Sequence, residues 1–297
     1  MENNLTPDVQ EEILPINNSP QPKRRSNWKY ILTVFLWMGG FVGFQVAGAL
    51  LYSVVIGVVS TVLYDDPLFL FNTDHLIFSC SVASAVLMSL VCVFLALNRK
   101  KSGQSFLSVF SETTHIHKLP ISKCAQYISI GVFFAFASGL IVTLIVSIFN
   151  NEGLLGSSAD LEMSILTGIS VLFCAPIGEE LLMRCLVHDT LKKYQSPKRA
   201  NISQCILFGL LHGVSLQTIY TALIGLFMGD EIQKNNNLTC SLMIHFGFNL
   251  GAGLNCIFPT LGDFIGYNIG ILIVSFCGFI FFTNIVIQNR KAKNSNI

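Results

Sequence analysis

Eight long apolar stretches run through the chain, at roughly 30–63, 75–97, 125–149, 163–187, 201–214, 216–229, 238–257 and 264–287. No other feature constrains the fold as strongly, because a helix crosses the hydrocarbon core of a bilayer with about 20 mainly apolar residues. The charge supply agrees. Of 35 charged residues, 8 fall within the first 29 positions, which leaves 27 for the remaining 268. A soluble domain needs about a quarter of its residues charged, and this chain has 12%. A disordered regulator, a disulfide scaffold and a basic nucleic-acid binder are excluded on these grounds. The expected fold class is all-α: a polytopic membrane helical bundle of about eight transmembrane helices.

The basic residues predict the topology, since Lys and Arg concentrate in cytoplasmic loops near span ends. Lys23, Arg24, Arg25 and Lys29 precede the first stretch, and Arg99, Lys100, Lys101, Lys118 and Lys123 follow the second. Lys192, Lys193, Lys198 and Arg199 follow the fourth, Lys234 the sixth, and Arg290, Lys291 and Lys293 the eighth. The alternate gaps hold neither Lys nor Arg, so 17 of the 18 basic residues share one side. Both termini are therefore expected in the cytoplasm, in a multi-pass integral membrane protein (of the plasma membrane if the chain is bacterial). The first stretch has no turn signal and reads as one long helix rather than a hairpin. The fifth and sixth are short, which suggests a break within the membrane where protein or a water-filled cavity receives the backbone.

Residues 1–28 read as a disordered cytoplasmic tail and not a signal peptide. Residues 29–150 hold the first three transmembrane helices, 160–257 a core of four more, and 258–297 a last helix with a basic cytoplasmic tail. The nine cysteines are scattered without a CxxC pair and read as thiols packed among apolar groups. Small-xxx-small spacings at Gly39/Gly43, Gly225/Gly229, Gly247/Gly251 and Gly262/Gly266/Gly270 predict close helix packing. His115 and His117 lie in a basic loop and read as solvated, and His75 and His188 as interfacial.

Ionisable residues inside a span are costly and functional by default. Glu179, Glu180 and Arg184 stand in the fourth stretch, His212 in the fifth, and His245 with Asn249 in the seventh. A central Arg or Asp costs about 2.5–3.5 kcal/mol on insertion, so three such groups within six residues need compensation. Glu180 and Arg184 are i,i+4 and can pair on one helix face. Glu179 lies about 100° round the helix from Glu180, which leaves it over for chemistry. The plain alternative is a structural charge pair at a helix interface. Phe208 and His212 share a helix face, as do His245 and Asn249. Counting about 1.5 Å per residue from the cytoplasmic ends brings Glu179, His212 and His245 to a similar depth. Neither HExxH nor a GxSG serine occurs, and Phe227 breaks the GxGD pattern at Gly229-Asp230.

Glu-Glu-x-x-x-Arg at 179–184, Phe-x-x-x-His at 208–212 and His-x-x-x-Asn at 245–249 resemble, in that order, the CPBP family. This family comprises type II CAAX prenyl endopeptidases and bacteriocin-processing or immunity proteins, also called the Abi family. The resemblance covers about residues 160–257 and implies an intramembrane endopeptidase acting on a membrane-associated peptide or protein. It implies Glu179 as catalytic base, His212 as the group that helps hold and polarise the water, and His245 and Asn249 as oxyanion donors. Arg184 would hold Glu180, and Phe208 would pack near His212. A metal-free mechanism is favoured; the variant uses zinc on Glu179, His212 and His245. Membrane lipid and a peptide or protein substrate are the expected partners, with no nucleic acid. Two other classes stay open: a non-catalytic membrane immunity or regulatory scaffold that binds a peptide or sensor protein, and, less favoured without internal repeats, a transporter.

Overall fold

In the computed structural model the described residues are 28–149, 164–257, 276, 278–280 and 282–287. Among them the regular elements are helices and none is a strand. The expectations for the N-terminal tail, the basic C-terminal tail, the Gly262/Gly266/Gly270 spacing and most of the eighth stretch lie outside the described residues.

Helix α1 (Trp28–Tyr64) is continuous, as the absence of a turn signal requires, and its 37 residues extend about 55 Å. Helices α2 (Thr73–Arg99), α4 (Ile121–Phe149) and α5 (Ile165–Lys192) follow it in being long and apolar enough to cross a membrane. Among the described residues four of the expected spans therefore qualify by length and composition. Helix α6 (Pro197–Leu211) has 15 residues and rises about 22 Å, short of the ~30 Å hydrocarbon core. It pairs with α7 (Leu216–Asn235), and the turn between them runs through His212 and Gly213, whose φ of 86° only glycine adopts freely. The two short stretches are this hairpin. Helix α8 (Leu238–Ile257) carries a shorter apolar run, Leu238–Leu254. The nine-residue α3 (Phe106–Thr114), in the loop after α2, is too short to leave a period in the sequence.

Helix ends gather as the alternation of basic residues predicts. At one end His117 N–H donates to Asn237 Oδ1, Leu238 N–H to the His115 carbonyl, and His115 pairs with Asp189 at 3.0 Å. The loops after α2, α5 and α7 therefore meet. At the other end Thr167 Oγ1 donates to Asp74 at 2.7 Å, joining the starts of α2 and α5. His115 is thus tied down rather than solvated. His188 is fully buried, with Nε2 2.8 Å from Gln233 Nε2, and is not interfacial. In both cases the partner lies far along the sequence.

Helix α5 is not a regular α-helix. Residues Ser170–Cys174 and Leu181–His188 are wound as π-helix on either side of Ala175–Glu180. Pro176 accounts for part of this. The Ala175 N–H bonds the Ser170 carbonyl, and the next donor in that register would be Pro176, which has no N–H. The Val171 carbonyl is left without a helical donor, and the Asn249 side chain of α8 donates to it at 2.7 Å.

Backbone contact sets the position of α8. A side chain at Gly247 would meet the backbone of Ile128 on α4, and one at Gly131 would meet that of Ile244 and Phe248. Gly251 lies against Val132 and Ala135, and Gly225 and Gly229 against Phe208, Asn201 and Gln204 of α6. Two of the three described small-residue spacings are therefore close contacts. Gly39 and Gly43 are not: open space surrounds both. Seven cysteines fall among the described side chains and all are free thiols.

Candidate active site

The two adjacent glutamates of α5 face different surroundings. Glu180 is fully buried and fully engaged. Its Oε2 lies 3.0 Å from Arg184 Nε one turn on and accepts from Ser241 Oγ, while its Oε1 lies 2.9 Å from His245 Nδ1. Arg184, also fully buried, donates from Nη1 to Gln204 Oε1, and its guanidinium stands 5.1 Å from the centre of the Phe208 ring. A charge-assisted network of this kind makes a buried pair tolerable, because a lone ion at that depth carries a desolvation penalty of several kcal/mol.

Glu179 has none of this. Its Oε2 is buried with no hydrogen-bond partner among the described residues. Two imidazole nitrogens face it instead: His245 Nε2 at 3.7 Å and His212 Nε2 at 3.9 Å. Both gaps exceed a direct hydrogen bond, so a molecule between them can bridge all three groups. The cavity at this point has a volume of about 50 Å³, with Phe208, His212, His245 and Asn249 among its lining residues. One water needs roughly 10–15 Å³ on this measure, so a small cluster of water molecules fits.

Hydrogen bonds place one proton on each ring. His212 Nδ1 lies 2.9 Å from the Phe208 carbonyl, which can only accept, so Nδ1 carries a proton and Nε2 is the nitrogen left to face Glu179. His245 Nδ1 likewise faces a carboxylate, Glu180, and donates to it. Phe208 stands edge-on to both rings, at 5.0 Å from His212 and 5.8 Å from His245. One aromatic side chain thus packs against both histidines and against Arg184.

All seven residues singled out in the sequence meet around this point. Phe208, His212, His245 and Asn249 line the cavity, Glu179 faces the two histidines, and Glu180 and Arg184 form the buried network beside them. Ser241 and Gln204 belong to the same network and were not anticipated. Each stands one turn before a recognised residue (Ser241 before His245, Gln204 before Phe208), so a polar group at i−4 was the available signal. Glu179, His212 and His245 offer a zinc donor set by residue type. Among the described residues, however, no group of three His, Cys, Asp or Glu stands in metal-holding geometry.

Comparison with known proteins bears on the part of the chain that forms this arrangement. Residues 161–251 match the family described as type II CAAX prenyl endopeptidase Rce1-like. The match covers less than a third of the chain, spans all three motifs, and supports the resemblance to CPBP and CAAX proteases. No curated protein and no solved structure gives a match.

Proposed function

We propose that the protein is an intramembrane endopeptidase in which Glu179 activates water against a peptide bond of a membrane-associated peptide or protein. One observation carries this reading: an unpartnered buried carboxylate oxygen faced by two imidazole nitrogens whose rings line a water-sized cavity. A purely structural charge pair needs Glu180 and Arg184 but not Glu179.

The steps follow from the donors and acceptors. A water in the cavity gives one hydrogen bond to Glu179 Oε2 and another to the lone pair of His212 Nε2. As the substrate carbonyl approaches, Glu179 takes a proton and the resulting hydroxide attacks the carbonyl carbon. Negative charge then develops on the carbonyl oxygen. His245 donates to it from Nε2 as an imidazolium whose other N–H stays on Glu180, and Asn249 donates from the amide hydrogen not spent on Val171. When the tetrahedral intermediate collapses, the C–N bond breaks and Glu179 returns its proton to the leaving amine. A positioned general base supplies typically 10²–10⁴-fold in rate, and each oxyanion donor about 10²–10³-fold. In this reading the site lies nearer the cytoplasmic side, the side assigned to the basic loops.

The decisive experiment is cleavage of a membrane-anchored reporter, including a prenylated CAAX-type peptide, by the purified protein in proteoliposomes. Glu179→Gln should abolish cleavage while insertion and thermal unfolding stay unchanged; cleavage retained in this variant overturns the assignment. If a chelator removes wild-type activity and zinc restores it, the metal-free version is replaced by one in which Glu179, His212 and His245 hold zinc. If the cellular phenotype survives both Glu179→Gln and His212→Ala, a non-catalytic scaffold takes precedence.

A further inference from the structure

A second cavity, of about 230 Å³, lies well apart from the catalytic one, where the start of α1, the end of α2 and the end of α5 diverge. Its walls are aromatic. Tyr30 and Tyr194 stack at 4.7 Å, and Trp37 stands on the same face of α1 two turns beyond Tyr30. Leu95 and Leu186 make part of it apolar. Two cations border it, Arg99 at the end of α2 and Lys193 just after α5. Neither side chain makes an ion pair or hydrogen bond among the described residues. The one acid lining the cavity is already matched: Asp189 Oδ1 lies 2.7 Å from Lys192, and Oδ2 3.0 Å from His115. The pocket therefore holds two cations that no group in its own walls neutralises.

We infer that this cavity binds the phosphate headgroup of an anionic membrane lipid. The chemistry selects the anion: a guanidinium and an ammonium converging on one cleft suit a phosphate group, the former by bidentate donation and the latter as a point charge. The position selects the lipid as its source. Tyr and Trp rings concentrate at the membrane–water boundary, and basic pockets between helices on the basic side of a membrane protein suit acidic headgroups. At the same levels α1 exposes Phe35 and Leu36 and α2 exposes Phe94 and Leu97, so the helices that bound the cleft are apolar on other faces where acyl chains can lie. The bound lipid has a mechanical consequence. Few residues of α1 are buried, Val34, Phe41 and Ser60 among them, and the headgroup would tie its first turns to α2 and to the helix that carries Glu179.

The chain contains two tryptophans, Trp28 and Trp37, so Trp28→Phe leaves the Trp37 fluorescence as a reporter inside the cleft. The full-length Trp28→Phe protein, in nanodiscs of phosphatidylcholine, is titrated with phosphatidylglycerol. A saturable change in emission is expected with phosphatidylglycerol. Arg99→Ala combined with Lys193→Ala should weaken it about thirtyfold, the worth of two cations at a headgroup. Lys100→Ala with Lys101→Ala, which removes two charges outside the cleft, should leave the midpoint unchanged. Thr33→Phe, which fills the cavity but keeps both cations, should remove the response and guards against misfolding in the charge variant. A linear, non-saturating change, or equal weakening by the Lys100/Lys101 variant, overturns the site. An equal response to inorganic phosphate overturns the lipid as its source.

Discussion

Glu179 and Glu180 are neighbours in sequence and opposites in environment. Glu180 spends its oxygens on Arg184, Ser241 and His245 inside a buried network. Glu179 faces two imidazoles, and its Oε2 has no hydrogen-bond partner among the described residues. A helix turns about 100° per residue, so a pair of identical side chains can serve two separate purposes. One carboxylate holds the framework, and the other is left with an affinity that only a bound molecule can satisfy.

Substitutions on either side should break this comparison in different ways. The largest effect is expected at Glu179→Gln, with cleavage down at least 10³-fold by loss of the base and an unchanged unfolding midpoint. On the other side, Arg184→Ala strands a buried carboxylate and should destabilise by about 3–5 kcal/mol, read as loss of folded protein in detergent before any assay of activity. Asn249→Ala should affect both sides. The oxyanion donor is worth roughly 10²–10³-fold in turnover, and the Val171 carbonyl loses its partner, so a modest fall in thermal stability should accompany the rate loss. Asn249→Asp keeps the shape but presents no N–H toward Val171, and should lower stability at least as far. The smallest effect is expected at Ser241→Ala, about 0.5–2 kcal/mol for one hydrogen bond inside a membrane bundle, with turnover reduced only through looser seating of Glu180 and His245. Unchanged turnover in that variant would show that His245 is held by Glu180 alone.

Much of the site was legible because its signals are local. Glu180 with Arg184, and Phe208 with His212, meet at one helical turn, and that spacing can be read directly from the chain. The depth estimate brought three helices to one level, and they do converge. What escaped the reading depends on side chains far apart in sequence. Asn249 reaches Val171, 78 positions away, only because Pro176 empties the next donor position in a π-wound segment. His115 is held by Asp189, 74 positions on. The reciprocal approach of Gly131 and Gly247 was half visible: Gly247 belongs to a small-residue spacing, while Gly131 stands alone on α4. The exposed Gly39 and Gly43 show the converse error, since a spacing that permits close approach does not supply the helix that approaches.

The pairing of Glu180 with Arg184 inside one helix also bears on how the protein is made. Helix α5 emerges from the ribosome before α6 and α8, so Gln204, Ser241 and His245 are not yet in place when the most heavily charged segment meets the bilayer. A counter-ion one turn away travels with the segment, and neutralises it during its passage. The later helices then find an ion pair already formed, and their polar side chains refine it. Glu179 crosses without such an escort, and its histidines arrive last, so the site can complete itself only after the membrane framework stands.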